Sequence, residues 1–337
     1  MTQSTNQRIA LINRPPEMPQ PADFELREEP LAQLGDGEVR VEIDALSIDA
    51  FIRTTFELGG HHQGVQLGDT VMALGVGKVI ESNSPDHSVG SWVFGPMMAQ
   101  TVATGPGAMY RTIQPSNELP PSAFLGVLGL TTGLTAWVGM QHLARPQAGE
   151  TVVVSGAAGA VGTVASQLAK AAGARVIGIA GGDEKCRFLT EELKLAAAID
   201  YKKGDVHGQL RALAPEGVNV FFDNVGGEIL DDVLDNIAMG ARITICGAIS
   251  QYDDLTNVRG PKLYLRIAER NAQLNGFTVD YYPQTYEAAT KELTELYLKG
   301  EMKLPEHIVT GIDHFPEALI TLLSGGHRGK MLVRPNG

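Results

Sequence analysis

The chain has 337 residues, 43% of them hydrophobic and 20% charged, enough apolar material for a sizeable core in two domains or one large one. Acidic residues outnumber basic ones 39 to 27, and the net charge of −12 argues against nucleic acid as a partner, because phosphate binding needs a basic face. Only two cysteines occur, Cys186 and Cys246, which excludes a disulfide framework or a four-cysteine zinc lobe and fits a reducing, cytoplasmic setting.

The N-terminus has no basic segment followed by a long apolar one, so no signal peptide is expected. The first ~120 residues lack helical periodicity. Residues 38–43 (EVRVEI) alternate polar and apolar as a half-buried strand, and 70–82 is a glycine-punctuated apolar run suited to strands turning at a barrel corner. Residues 90–94 (GSWVF) read as another strand. Residues 123–140 approach the ~20 apolar residues of a membrane span. They carry four Gly and three Thr, and the expectation is a buried helix linking two domains. From Gly149 the texture changes. Strands are expected at 151–154, 175–180, 197–200, 218–224 and 241–247, with helices at 161–172, 184–195 and 229–237 between them. That alternation implies βαβ units and a parallel sheet covered on both faces. An amphipathic helix follows at 286–299, and the tail GKMLVRP reads as a strand returning to the first domain.

The most informative stretch is TVVVSGAAGAVGTVASQLAK. A strand feeds Gly156, Gly159 and Gly162, and a helix begins there with Ala160 and Val161. Glycine is needed where backbone turns tightly and approaches a pyrophosphate, and the helix N-terminus presents free N–H groups to the anion. The spacing is G-x-x-G-x-x-G rather than G-x-G-x-x-G, so the strand–turn–helix context carries the dinucleotide reading. A tight turn without a ligand, or a nucleoside such as S-adenosylmethionine, is the alternative. An NAD site places an acid at the end of the second strand, about 20 residues on. Here that strand ends in Ala180-Gly181-Gly182, and Lys185 follows, which favours the 2′-phosphate of NADP(H). Asp183 and Glu184 are the acids that would fill the ribose role if the loop folded differently.

Together ETVVVSGAAGAVG, AGGDEKCRFL, IDYK, FFDNVGGEIL, ICGAISQY and the terminal GK-x-L-V resemble the zinc-independent medium-chain dehydrogenase/reductases, in particular the leukotriene B4 12-hydroxydehydrogenase / prostaglandin reductase / alkenal double-bond reductase family. The resemblance implies an α/β fold: a Rossmann doubly wound parallel sheet at about 126–306, and a β-rich GroES-like catalytic domain from 1–125 and 307–337, with substrate in the cleft between them. It also implies cofactor roles. Gly159, Ala160 and Val161 would lie under the pyrophosphate, and Lys185 and Tyr201 would hold the 2′-phosphate. Asn224 would contact the ribose region, and Cys246, Phe277 and Val279 would line the nicotinamide side. Taken singly, Tyr201, Asn224, Cys246 and Phe277 have bland readings as strand-end, turn and core residues.

Four departures stand out. Asp49-Ala50-Phe51-Ile52-Arg53 replaces the family's D-P-Y-M-R, and the stretch before Trp137 is one residue longer. His327 replaces an asparagine two residues before the G-K pair, and Glu269 falls near a tyrosine that some members carry. The zinc alcohol dehydrogenases' G-H-E-x-x-G is absent. The corresponding GDTVMALGVG has neither His nor Glu, and the adjacent His61 and His62 read as loop residues, so no metal site is expected.

The implied reaction is reduction of the C=C bond of α,β-unsaturated ketones or aldehydes. Hydride from NADPH reaches the β-carbon, and hydrogen-bond donors stabilise the enolate oxygen. Tyr252 and Tyr264 are the candidate donors; each has a bland reading as a packed or surface tyrosine. Phe51, Met97 and Met98 join His61, His62 and the two tyrosines as candidates for shaping an apolar pocket. The same resemblance implies a homodimer. A quinone oxidoreductase and a non-catalytic NADPH-binding sensor are the rival readings.

Overall fold

The computed structural model describes residues 5–58 and 64–336, so His61 and His62 lie outside the described residues. The chain divides into two compact units, residues 1–126 with 306–337, and residues 127–305.

The first unit opens with an antiparallel hairpin, β1 (Thr5–Leu11) and β2 (Phe24–Pro30), that the sequence pattern does not announce. Strands β3 (Glu38–Ser47), β4 (Leu74–Ser82), β5 (Trp92–Pro96), β6 (Val102–Pro106) and β7 (Arg111–Ile113) follow. The expected pair of strands over 70–82 is the single strand β4. Val71 and Ala73 instead bond to Ile9 and to Met97 and Met98 across a separate path.

The second unit begins with a helix over residues 130–144, most of it in wide turns. It starts later than the apolar run because Gly129 is extended, and it stops where Arg145 turns left-handed before Pro146. A side chain at Gly139 would meet Phe222 at 2.5 Å, so the glycines of this stretch serve close packing on the sheet. Among the described residues no helix is long and apolar enough to cross a membrane.

Six strands then form one parallel sheet: β8 (Thr151–Ser155), β9 (Arg175–Ala180), β10 (Ala197–Asp200), β11 (Val218–Asp223), β12 (Ile237–Ile245) and β13 (Gln273–Gly276). Their spatial order is β10-β9-β8-β11-β12-β13, the doubly wound Rossmann arrangement the sequence implies. Val153, Ile177, Ile199, Phe221 and Ile243 are buried in its core, which is why the strands read as unbroken apolar runs. Helices Ala160–Ala171, Val206–Leu213 and Gly227–Leu234 connect the strands. The helix expected to reach Ile237 ends at Leu234. Asp235 makes the last helical bond and the Asn236 side chain turns to Ala214 O at 3.0 Å, freeing Ile237 to open β12.

The tail supplies β14 (Glu306–Thr310), a helix Phe315–Leu323 and β15 (Lys330–Arg334). β15 joins the first unit's sheet antiparallel to β3, with Leu332 opposite Ser47.

Candidate active site

In a parallel sheet all carboxyl ends lie on one edge, and ligands bind outside that edge. Each strand of the second unit delivers a candidate residue there: Gly156 to Gly162 after β8, Lys185 after β9, Tyr201 after β10, Asn224 after β11, Cys246 after β12 and Phe277 after β13.

After β8, Gly156 takes a left-handed conformation (φ +57°) and Gly159 precedes the helix in extended backbone. A methyl group at Gly162 would lie 2.3 Å from Gly156 O and 2.7 Å from Ala157 Cα, so only glycine lets the helix start against the turn. Helix positions Ala160, Val161 and Gly162 have no partners earlier in the helix for their N–H groups, which makes this end an anion cradle.

Fully buried Ser155 and Asp223 tie this turn to its neighbours. Ser155 Oγ donates to Asp223 Oδ1 at 2.7 Å and accepts the Asn224 N–H at 2.8 Å, while Asn224 Nδ2 donates to Ser155 O at 2.7 Å. Val225 and Gly226 N–H groups also donate to the Asp223 carboxylate, at 3.0 and 3.1 Å. Burial pushes its pKa up, and the Ser155, Gly226 and Val225 donors oppose that rise. The Asp223 carbonyl accepts N–H groups from Cys246 (2.8 Å) and Gly247 (3.2 Å).

At the end of β10, Asp200 Oδ1 accepts N–H groups from Gly182, in the turn after β9 (2.8 Å), and from Lys202 (3.0 Å). Asp183 is ion-paired with Lys203, which holds its carboxyl below the usual range. Lys185 is half-buried; burial, then the neighbouring Lys202 charge, hold its ammonium pKa down against the opposing Glu184. The Tyr201 ring and Lys202 stem pack so tightly on Gly181 that a methyl group there would lie 2.8–2.9 Å from both.

Beyond β12, burial and then the Asp223 charge push the Cys246 thiol up to about 12. The Phe277 ring packs edge-on to Phe222 and Tyr282, and Val279 is buried beside it. Tyr252 is half-buried, its pKa raised by burial, with its hydroxyl accepting a long bond from Ala248 N–H at 3.4 Å.

Residues 7–113 match the family described as the N-terminal domain of oxidoreductase, and residues 160–295 that described as zinc-binding dehydrogenase. The chain is 33% identical over 341 residues to the NADPH-dependent curcumin reductase of Escherichia coli (strain K12), covering 98% of this chain and 97% of that one. It is 34% identical over 321 residues to prostaglandin reductase 1 of Bos taurus, covering 94% and 95%. CurA of Vibrio vulnificus, solved in complex with NADPH, superposes with a TM-score of 0.92 at 33% identity over 98% of this chain and 99% of that one. The chain belongs to the zinc-independent medium-chain dehydrogenase/reductase family.

As in that family, the first unit is the GroES-like domain and the second the Rossmann domain. Among the described residues no group of three or more His, Cys, Asp or Glu side chains is arranged to hold a metal ion. Tyr264 is 61% exposed. Its neighbours Leu263 and Arg266 bond to Asp231, in the second half of helix Gly227–Leu234, and to Asp235, which caps that helix's C-terminus, away from the carboxyl edge where the helix begins. The structure therefore does not gather Tyr264 with Tyr252, Asn224 and Cys246. Glu269, near the position of the family tyrosine, pairs with Arg266 at 2.7 Å. His327 and Phe51 belong to the first unit, as do buried Met97 and half-buried Met98, the latter left-handed at φ 59°. Ser155, Asp223 and Lys202 escape a reading by motif. Their signal is faint: a polar residue closing each of two apolar strands, and a second lysine behind Tyr201.

Proposed function

We propose that this family member uses NADPH to reduce the C=C bond of α,β-unsaturated ketones and aldehydes. The observation that carries the cofactor is the tip of β9. Two lysines meet there, Lys185 and Lys202, while Asp200 is spent on backbone N–H groups and Asp183 on Lys203. Two cations on neighbouring turns suit a doubly charged phosphate, and the 2′-phosphate of NADPH is the group that fits them. The names of the curcumin and prostaglandin reductases support a reductase of small organic molecules.

NADPH supplies a hydride when bound. The chain's part is to hold and surround it. The turn from Gly156 to Gly162 cradles the pyrophosphate; Lys185, Lys202 and Tyr201 hold the 2′-phosphate. Asn224 meets the ribose region, and Cys246, Phe277 and Val279 wall the nicotinamide side. His327 is a further candidate for the cofactor. A thiol raised to about 12 stays protonated at neutral pH, so Cys246 forms an inert wall rather than a nucleophile toward an electrophilic enal. Negative charge gathers on the substrate carbonyl oxygen as the β-carbon is reduced, and a donor aimed there lowers the barrier. Tyr252 takes that role, since its hydroxyl accepts from Ala248 and retains its own proton to donate. The α-carbon proton comes from solvent.

Two free cysteines suit a cytoplasmic enzyme. A homodimer is proposed through β13, an edge strand with Gln273, Leu274 and Gly276 exposed, whose unpaired backbone invites the same strand of a second copy. Sedimentation of wild type and Leu274→Lys tests it: a wild-type monomer, or a variant that stays dimeric, rejects this interface.

The activity test is loss of NADPH absorbance by chelator-treated protein with an aliphatic enone, an enal and a quinone in parallel, and NADH as control. A saturated product from the enone supports the proposal. Turnover of the quinone alone makes the chain a quinone oxidoreductase. Bound NADPH with no turnover of any acceptor makes it a sensor.

A further inference from the structure

We infer that Ser155 and Asp223 are a positioning pair for the nicotinamide half of the cofactor, acting through the Asn224 carboxamide; the inference rests on the NADPH reading above. The pair stands where backbone pairing ends. β8 and β11 are laddered from Val152–Val220 to Val154–Phe222, and at the next residues two side chains replace the ladder. Both are fully buried.

The direction of every bond is fixed by valence. Asn224 N–H occupies the acceptor side of Ser155 Oγ, so the single hydroxyl proton goes to Asp223 Oδ1. A carboxylate in this place accepts and cannot compete as a donor. Asn224 then spends one amide N–H on the Ser155 carbonyl at 2.7 Å. A flipped carboxamide would set oxygen against oxygen, so Nδ2 is held toward β8 and Oδ1 is turned away from it. The carboxamide is thereby oriented as an acceptor at the carboxyl edge, matched to a hydroxyl donor such as a ribose hydroxyl. The Asn224 carbonyl also accepts Ile249 N–H at 3.2 Å, so the same arrangement fixes the start of the segment that carries Tyr252.

Burying a carboxylate is an expensive way to join two strands that are already paired, and apolar residues of similar size would stabilise the fold as well or better. What the carboxylate gives, and an apolar residue does not, is a unique orientation for Ser155 and hence Asn224. The phosphate end of the cofactor, at Lys185 and Tyr201, depends on β9 and β10 instead.

The experiment measures dissociation constants of NADPH and of adenosine 2′,5′-bisphosphate, which lacks the nicotinamide half, for full-length wild type, Ser155→Ala, Asn224→Ala and the double variant. Loss of one oriented hydrogen bond is expected to weaken NADPH by about tenfold in each single variant. The double variant is expected to lose no more than about threefold beyond either single one, because the two residues act as one unit. The bisphosphate is expected to bind within about twofold of wild type throughout. Equal weakening of both ligands, additive losses, or unchanged NADPH binding in Ser155→Ala each overturn the inference. Wild-type protein that binds neither ligand overturns the cofactor reading and this inference with it.

Discussion

Asp200 Oδ1 lies 2.8 Å from the Gly182 N–H, so the carboxylate at the end of β10 is a bracket for the glycine turn after β9. In an NAD site an acid at this edge would face the ribose 2′-OH. Here Asp200 is occupied by backbone, and Asp183, in the turn after β9, is occupied by Lys203. Lys185 and Lys202 stand together at the tip, with Glu184 as the exposed acid beside them.

Cofactor choice should follow from that placement. Lys185→Ala is expected to raise KM for NADPH by about tenfold or more, since a charge-assisted bond to phosphate is lost. KM for NADH should change by less than about twofold. Initial rates with each cofactor decide it, and equal losses for the two would remove Lys185 from the 2′-phosphate.

A pH dependence accompanies it. Burial and Lys202 hold the Lys185 pKa below the ordinary lysine value, so in the cofactor-free protein its cationic form is lost earlier as pH rises. NADPH affinity should fall on the alkaline side, beginning below the ordinary lysine range, while NADH affinity stays flat there. Titrating both dissociation constants against pH checks the sign; parallel curves would contradict it.

The parts of this site legible in the sequence are those whose constraint is local. Gly162 is forced by a backbone oxygen six residues away, and the missing acid after Ala180 is visible in one line of sequence. Ser155 and Asp223 are 68 positions apart and meet only because β8 and β11 are neighbours, so neither announces the other. Tyr264 shows the converse. Its place in the chain suggests the site, but the bonds of Leu263 and Arg266 to Asp231 and Asp235 set it elsewhere. Within the sheets the apolar runs of β8, β9 and β11 are plain, whereas β13 (QLNG) and β14 (EHIVT) are edge strands with exposed residues and no apolar pattern to read.

The glycine turn allows a graded test. Gly162→Ala places a methyl group 2.3 Å from Gly156 O and is expected to cost about 1–3 kcal/mol by overpacking, with a fall in NADPH affinity. At Gly159 the same methyl would sit 3.3 Å from Gly156 O with φ −79°, so Gly159→Ala should be milder. Thermal melts and cofactor titration of the two variants check the order; Gly159→Ala as the more damaging would contradict the geometry.

Tyr252→Phe removes only a hydroxyl whose one bond is a long 3.4 Å contact, so stability should hardly change. If that hydroxyl donates to the developing enolate oxygen, kcat should fall by about 10–100-fold with KM for NADPH unchanged. Unchanged kcat would take Tyr252 out of the reaction.

The first unit offers a stability test that is independent of the cofactor. Lys330 on β15 donates to Asp49 at 2.7 Å, with Lys330 only 1% exposed, and Ser47 donates to the other oxygen of Asp49. The pair joins residues 281 positions apart, one in the tail and one in the loop leading to Phe51. Lys330→Met is expected to cost about 3–5 kcal/mol, because it removes the cation from beside a buried carboxylate. Replacing both partners, Lys330→Met with Asp49→Leu, removes the buried carboxylate as well and should recover part of that loss. Denaturant unfolding of the wild type, the two single variants and the double variant measures this. A double variant no more stable than the additive sum would mean that the two charges do not depend on each other, and that β15 is held to the first unit by its ladder to β3 and its apolar side chains alone.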